Sequence, residues 1–336
     1  MKKVLPFNEQ TDINGYLIYT YPYGILNTDI RYKDYLMEHY INCFGYINRV
    51  NDVTFDYDDG VGYNAMCRDS AVFEMPFYSY QVGLQLDVRK LVITSIDHNY
   101  YPIVFTDEYY LKTRPSYKKA HNLHEIMIIG YDEKSFRYYA FDEKFKLSFS
   151  EFPQRQLNHA YKKGSRIGML TPESWINHRS IVLMKLKNIQ DSYIFSEERF
   201  RAKLEAYLNG EFAPELRSFF VSKDKCYIGV YNTKLLQYSL EHPEYSIGIR
   251  YPSVHTWCES KKNLYTKLKY YLEHRNSTSE DILTAYENRV VKQAELVRII
   301  MLKYRRCGRI DAENTIGILK ALFENERQIL SRVLNI

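Results

Sequence analysis

The feature that most limits how this chain folds is a change in the period of its apolar residues near position 188. Before it, short apolar runs at 101–106, 125–131, 136–142, 167–170 and 180–186 alternate with polar turns. Runs of that length read as strands. After it, apolar residues recur three and four apart: Phe200, Leu204, Tyr207 and Leu208, then Ile282, Tyr286, Val290, Val297 and Met301, then Ile316, Leu319, Phe323, Ile329 and Val333. That spacing places them on one face of a helix. Strands in succession with helices to one side predict an α+β fold rather than a doubly wound sheet. At about 100–200 residues per domain, the 336 residues predict two domains, 1–190 and 191–336. The second is expected to be mainly helical and to end in an antiparallel helix pair, because few residues join its last two helices.

Local signals add detail. Residues 16–21 read as extended, with a turn at 22–24. Asn27, Thr28 and Asp29 are good helix N-caps, and Tyr32, Leu36, Tyr40 and Phe44 then recur every fourth residue before Gly45. A helix over this stretch is expected. A further helix is expected over 84–96. Ser277-x-x-Glu280 has the form of a capping box opening the long C-terminal helix, which Gly308 ends.

Composition excludes several classes. Hydrophobic residues make up 45% of the chain, enough to bury a sizeable core. The net charge of +5, spread along the chain, does not point to nucleic acid. No run of about 18 apolar residues exists, so no membrane partner is expected. Five widely spaced cysteines with no C-x-x-C pair predict neither a disulfide framework nor a zinc site, and fit reduced thiols in a cytoplasmic protein. No cofactor is expected. Asp56-Tyr57-Asp58-Asp59-Gly60 resembles a calcium loop but places its glycine fifth rather than sixth. His121 and His124 have an H-x-x-H spacing without a third ligand, so no metal is expected. The 33 tyrosines either line a cleft or follow the codon bias that also enriches Asn, Ile and Lys.

The most informative stretch is His121-Asn122-Leu123-His124-Glu125 leading into the apolar run to Gly130-Tyr131-Asp132, then a strand ending in Asp142. His124 lies eight residues before the turn at 132–135, and Asp142 seven after it. An antiparallel hairpin therefore sets them abreast. A carboxylate beside an imidazole fixes its tautomer, the base–orienter half of a catalytic triad. The alternative is a structural hydrogen bond.

The ordered combination His-x-x-x-x-x-Gly-Tyr-Asp followed by a strand ending in Asp resembles the N-terminal domain of the butirosin biosynthesis protein H family. Residues 101–110, 117–121 and 149–161 resemble its neighbouring segments, and the similarity covers about 15–190. The resemblance implies a papain-like cysteine-peptidase fold. It implies acyl transfer, amide formation or hydrolysis in bacterial specialised metabolism. His124 would be the base, Asp142 the orienter, and Thr28 and Tyr109 would lie at the substrate. The implied partners are an acyl or peptidyl carrier protein and a small-molecule or peptide substrate.

The nucleophile departs from this pattern. Such folds place a cysteine at the N-terminus of the first helix, where the helix dipole favours the thiolate. Residues 24–30 hold no cysteine. Cys43 is the nucleophile candidate, but its expected place at the C-terminal end of that helix disfavours a thiolate and suits a small core residue. Cys67 falls in a later loop. Two readings follow: a cysteine-dependent enzyme, or an accessory module that keeps the cleft and lacks the nucleophile.

Overall fold

The structure, a computed structural model, describes residues 3–48, 52–57, 62–63, 71–170, 179–213, 226–242, 251–276, 279–307 and 310–336. In chain order the strands are β1 (Lys3–Val4), β2 (Cys43–Ile47), β3 (Val53–Tyr57), β4 (Phe73–Glu74), β5 (Phe77–Ser79), β6 (Tyr101–Asp107), β7 (Leu123–Tyr131), β8 (Ser135–Phe141), β9 (Leu147–Pro153), β10 (Arg179–Leu186) and β11 (Cys226–Ile228). The helices are α1 (Leu17–Leu26), α2 (Lys33–Glu38), α3 (Tyr80–Gly83), α4 (Val88–Asp97), α5 (Leu157–Leu170), α6 (Glu197–Asn209), α7 (Asn232–Glu241), α8 (Tyr251–His274), α9 (Glu280–Tyr286), α10 (Lys292–Cys307) and α11 (Ala312–Leu334). The chain is α+β, and its strand pairings are antiparallel.

Two compact units form, Met1–Ile30 with Val61–Ser192, and Arg31–Gly60 with Tyr193–Ile336. The expected domain 1–190 is corrected accordingly, because its segment 31–60 clusters with the second unit. The physical cause is β2, which pairs with β11 far along the chain, Phe44 opposite Ile228.

The first unit is built on a sheet in the order β4-β10-β6-β7-β8-β9, with β1 added to β7 and β5 to β10. All seven residues of β6 are buried. Since side chains alternate along a strand, both faces of the sheet are covered there. The β7–β8 hairpin turns at Asp132, whose Oδ1 accepts the Lys134 and Ser135 N–H groups at 2.8 and 2.9 Å. Asp87 caps α4 by accepting the Lys90 N–H.

Two expectations fail here. Residues 16–21, expected to be extended, lie in or just before α1, all ten residues of which are buried. A helix buried on every side shows no amphipathic period, so its sequence reads as a plain apolar run. Residues 167–170, expected to be a strand, are the last turn of α5. Leu157, Ala160, Tyr161, Gly164, Ser165 and Gly168 are its buried stripe.

The second unit has a small sheet, β11-β2-β3, and helices α2 and α6 to α11. The last helices pack as an antiparallel pair, with Arg332 near the end of α11 bonding Asp281 in the first turn of α9 at 2.6 Å. Between α9 and α10 the helix passes through a π-helical turn, Glu287–Val291. Ser277 and Gly308, the expected start and stop signals, lie outside the described residues. The core holds fully buried ions. Lys261 Nζ donates to Glu326 Oε2 at 2.8 Å, to Tyr207 Oη at 2.7 Å and to Asn232 Oδ1 at 3.1 Å. Tyr207 and Tyr286 both donate to Glu326 Oε1, at 2.8 and 2.9 Å. Much of the tyrosine excess therefore serves the core: Tyr21, Tyr63, Tyr138, Tyr161, Tyr207, Tyr271 and Tyr286 are among its largest buried side chains.

Candidate functional site

The polar groups of the first unit gather where β6 ends and β7 begins. Thr106 pairs with His124 and Asp107 with Leu123, so the two strands splay into the loop 108–122 at this point. The loop returns through a short turn, Glu108–Tyr110, capped by Asp107, whose Oδ1 accepts the Tyr109 N–H at 3.1 Å.

His124 is one-third exposed. Its Nδ1 lies 3.3 Å from Glu125 Oε2 and 3.2 Å from the Glu125 carbonyl. Glu125 is buried, and its Oε1 accepts the Tyr63 hydroxyl at 3.0 Å. Burial, and then the Glu125 charge, hold the Tyr63 phenol well above its ordinary value, and the same two causes act on Tyr21. Both phenols are thus neutral donors; the Tyr21 hydroxyl donates a hydrogen bond to the Tyr139 carbonyl at 2.7 Å.

Beside this lies a second carboxylate. Glu108 accepts Arg114 Nε at 2.7 Å and Asn122 Nδ2 at 3.0 Å, and Arg114 reaches on to the Phe141 carbonyl at 2.8 Å. Burial pushes the Glu108 carboxyl upward, but the Arg114 and His124 charges with the two hydrogen bonds outweigh it and leave it below its ordinary value. This buried pair ties the 108–122 loop to the end of β8.

The expected His124–Asp142 pair is corrected. β7 and β8 pair from Met127 opposite Tyr139 to Tyr131 opposite Phe136. Carried past Met127, this register would set His124 against Asp142, but the ladder stops first. Asp142 instead closes its own turn, accepting the Lys144 N–H at 2.8 Å and the Lys146 N–H at 2.9 Å. An aspartate at the first position of a tight turn is drawn to the backbone N–H groups two to four residues on.

The nucleophile candidate is also corrected. Of the helix expected from Asn27 to Phe44 only the short α2, Lys33–Glu38, forms. Thr28 follows α1 and donates its hydroxyl back to the Ile25 carbonyl at 2.7 Å, so it caps no helix start. Cys43 opens β2 in the second unit and has no solvent exposure. Helix α1 begins at Tyr16 and Leu17, where there is no thiol. Cys67 lies outside the described residues, as do residues 58–60 of the calcium-like loop. Tyr109 stacks on His121, with ring centroids 4.5 Å apart, rather than standing with His124.

That stacking marks what sequence reasoning missed. His121 Nδ1 lies 2.6 Å from Asp107 Oδ2, with the carboxylate buried and the imidazole 57% exposed. Asp107 Oδ1 also accepts the Asn122 N–H at 3.2 Å. The available signal was the D-x(13)-H spacing across a strand end and the loop that returns to the next strand, which brings the two ends together. Among the described residues no group of three His, Cys, Asp or Glu side chains is placed to hold a metal ion. Nor is any helix there long and apolar enough to cross a membrane.

No model of a known protein family matches the chain, and no curated protein matches it.

Proposed function

We propose that the first unit is a papain-type module of the butirosin-H-like kind that binds an acyl or peptidyl group without forming a thioester to it. In this reading the protein is an accessory or carrier-binding component of bacterial specialised metabolism, and cysteine chemistry is not part of its action. The observation that carries the reading is the position of Cys43: the leading nucleophile candidate from the sequence is a fully buried strand residue of the second unit, while the weaker candidate, Cys67, lies outside the described residues. The engagement of Asp142 with its own turn supports it, since the expected orienter does not serve His124. The chain keeps an imidazole at a strand mouth, bordered by buried carboxylates and neutral phenols, which suits recognition of amide and ester carbonyls by hydrogen bonding.

The test is a binding titration of the full chain against carrier proteins bearing acyl or peptidyl pantetheine amides, which cannot be transferred. Saturable binding that weakens in His124→Gln is expected. Equal binding of the unloaded carrier, with no effect of His124→Gln, would contradict the reading.

A further inference from the structure

The Asp107–His121 pair has the geometry of a general base that needs no cysteine. The two backbone partners of Asp107, the Tyr109 and Asn122 N–H groups, can only donate, so the carboxylate is an acceptor. With that carboxylate ionised, His121 presents Nδ1–H to Oδ2, and the neutral ring then carries its lone pair on Nε2, at the other edge. The carboxylate is buried and the imidazole more than half exposed, so the ring reaches solvent from a buried anchor. Tyr109 stacks on the imidazole, and Tyr110 stands beside it with centroids 5.9 Å apart. Tyr110 also meets His159 of α5 edge-on, at 4.4 Å. The base is thus bordered by aromatic faces suited to a flat acyl or aryl group.

We infer that His121 acts as a general base on activated aryl esters, with Asp107 as its positioning residue. Water gives a proton to Nε2 as its oxygen bonds to the ester carbonyl carbon. The bond to the aryl oxygen then breaks, and the departing phenolate takes the proton back from Nε2. No redox partner is needed and the imidazole is regenerated. This inference stands apart from the acyl-binding reading, because it rests on Asp107 and His121 rather than on His124 or any carrier.

The experiment uses the full chain with p-nitrophenyl acetate. General-base catalysis is typically worth 10²–10⁴-fold, so a loss of at least about tenfold in kcat/KM is expected for His121→Gln. His98→Gln, at an exposed histidine just after α4, should keep the rate. His121 is exposed, so its replacement does not threaten folding. For Asp107 the readout is the ¹⁵N spectrum of the labelled histidines. Wild-type His121 should be the Nδ1–H tautomer. In Asp107→Asn the backbone N–H groups still claim Oδ1, so the amide NH₂ faces Nδ1 and should drive the ring to Nε2–H. An unchanged rate in His121→Gln would overturn the inference, as would an Nε2–H tautomer in the wild type.

Discussion

Lys261 Nζ and Glu326 Oε2 meet at 2.8 Å, and neither side chain has any solvent exposure. The pair survives burial because all three ammonium protons are accepted, by Glu326, Tyr207 and Asn232, and the other carboxylate oxygen accepts from Tyr207 and Tyr286. Removing one member strands the other, at a cost of about 3–5 kcal/mol. Lys261→Met should therefore lower unfolding stability by about that amount, as read from urea denaturation. The double variant Lys261→Met/Glu326→Leu should recover a large part of the loss, since two apolar groups leave no buried charge behind.

The pH response follows from the histidines of the second unit. His255 is pushed down to about 4, first by burial and then by the Arg298 and Lys262 charges, against the pull of Glu295. Glu259 Oε1, 3.6 Å from Nε2, favours the charged form but does not reverse this. His39 is lowered too, by burial and then by Lys203. A histidine whose folded value is depressed binds its proton in the unfolded chain first. Its contribution is therefore complete above the ordinary value of 6.5 and is lost as pH falls from there toward 4. Urea unfolding should show a loss of about 1 kcal/mol per such histidine between about pH 6.5 and about pH 5.5. His255→Asn should flatten that slope.

The thiols should be quiet. Burial pushes Cys226 and Cys258 up to about 11, and Cys43 has no exposure. Of the four described cysteines only Cys307 is exposed. In native protein at neutral pH, iodoacetamide should label Cys307 ahead of Cys43, Cys226 and Cys258, with peptide mapping as the readout. Rapid labelling of Cys43 would place a reactive thiol where the fold provides none.

Helix α5 sets the floor of the 107–122 region. A Cβ at Gly164 would stand 2.7 Å from the Asp107 backbone nitrogen and 2.9 Å from the Thr106 carbonyl carbon. Backbone atoms in a central strand cannot step aside, so Gly164→Ala should cost about 1–3 kcal/mol despite the better helix propensity of alanine. Thermal melting measures it. Gly317→Ala, where an added Cβ meets nothing within 4 Å, is the control and should be neutral or slightly stabilising.

How far the sequence was legible depended on whether a segment's burial matched its period. β7 and β8 emerged because apolar residues ran together between polar turns, and α11 because one of its faces is wet. Helix α1 stayed hidden because water touches none of its sides. Residues 167–170 misled because Ile167, Met169 and Leu170 read as a strand, while Ala160, Gly164 and Gly168, which carry the helix contact, look apolar only weakly. At the site, counting residues from the β-turn set His124 abreast of Asp142, but could not show that the ladder ends before them. Nor could it show that Asp142 is claimed by the Lys144 and Lys146 N–H groups. The Asp107–His121 contact is made by a loop closure, which carries no periodic signal, and Cys43 was misplaced because the strand it opens, β2, is set between its neighbour β3 and the distant β11.

The central claim, that an acyl or peptidyl group is bound here without thiol capture, is tested most directly by intact-mass spectrometry of the full chain after incubation with acyl-loaded carrier protein. The protein's mass should remain that of the unmodified chain while the carrier is retained. A gain equal to one acyl group, removed by hydroxylamine and mapped to a cysteine, would contradict the account.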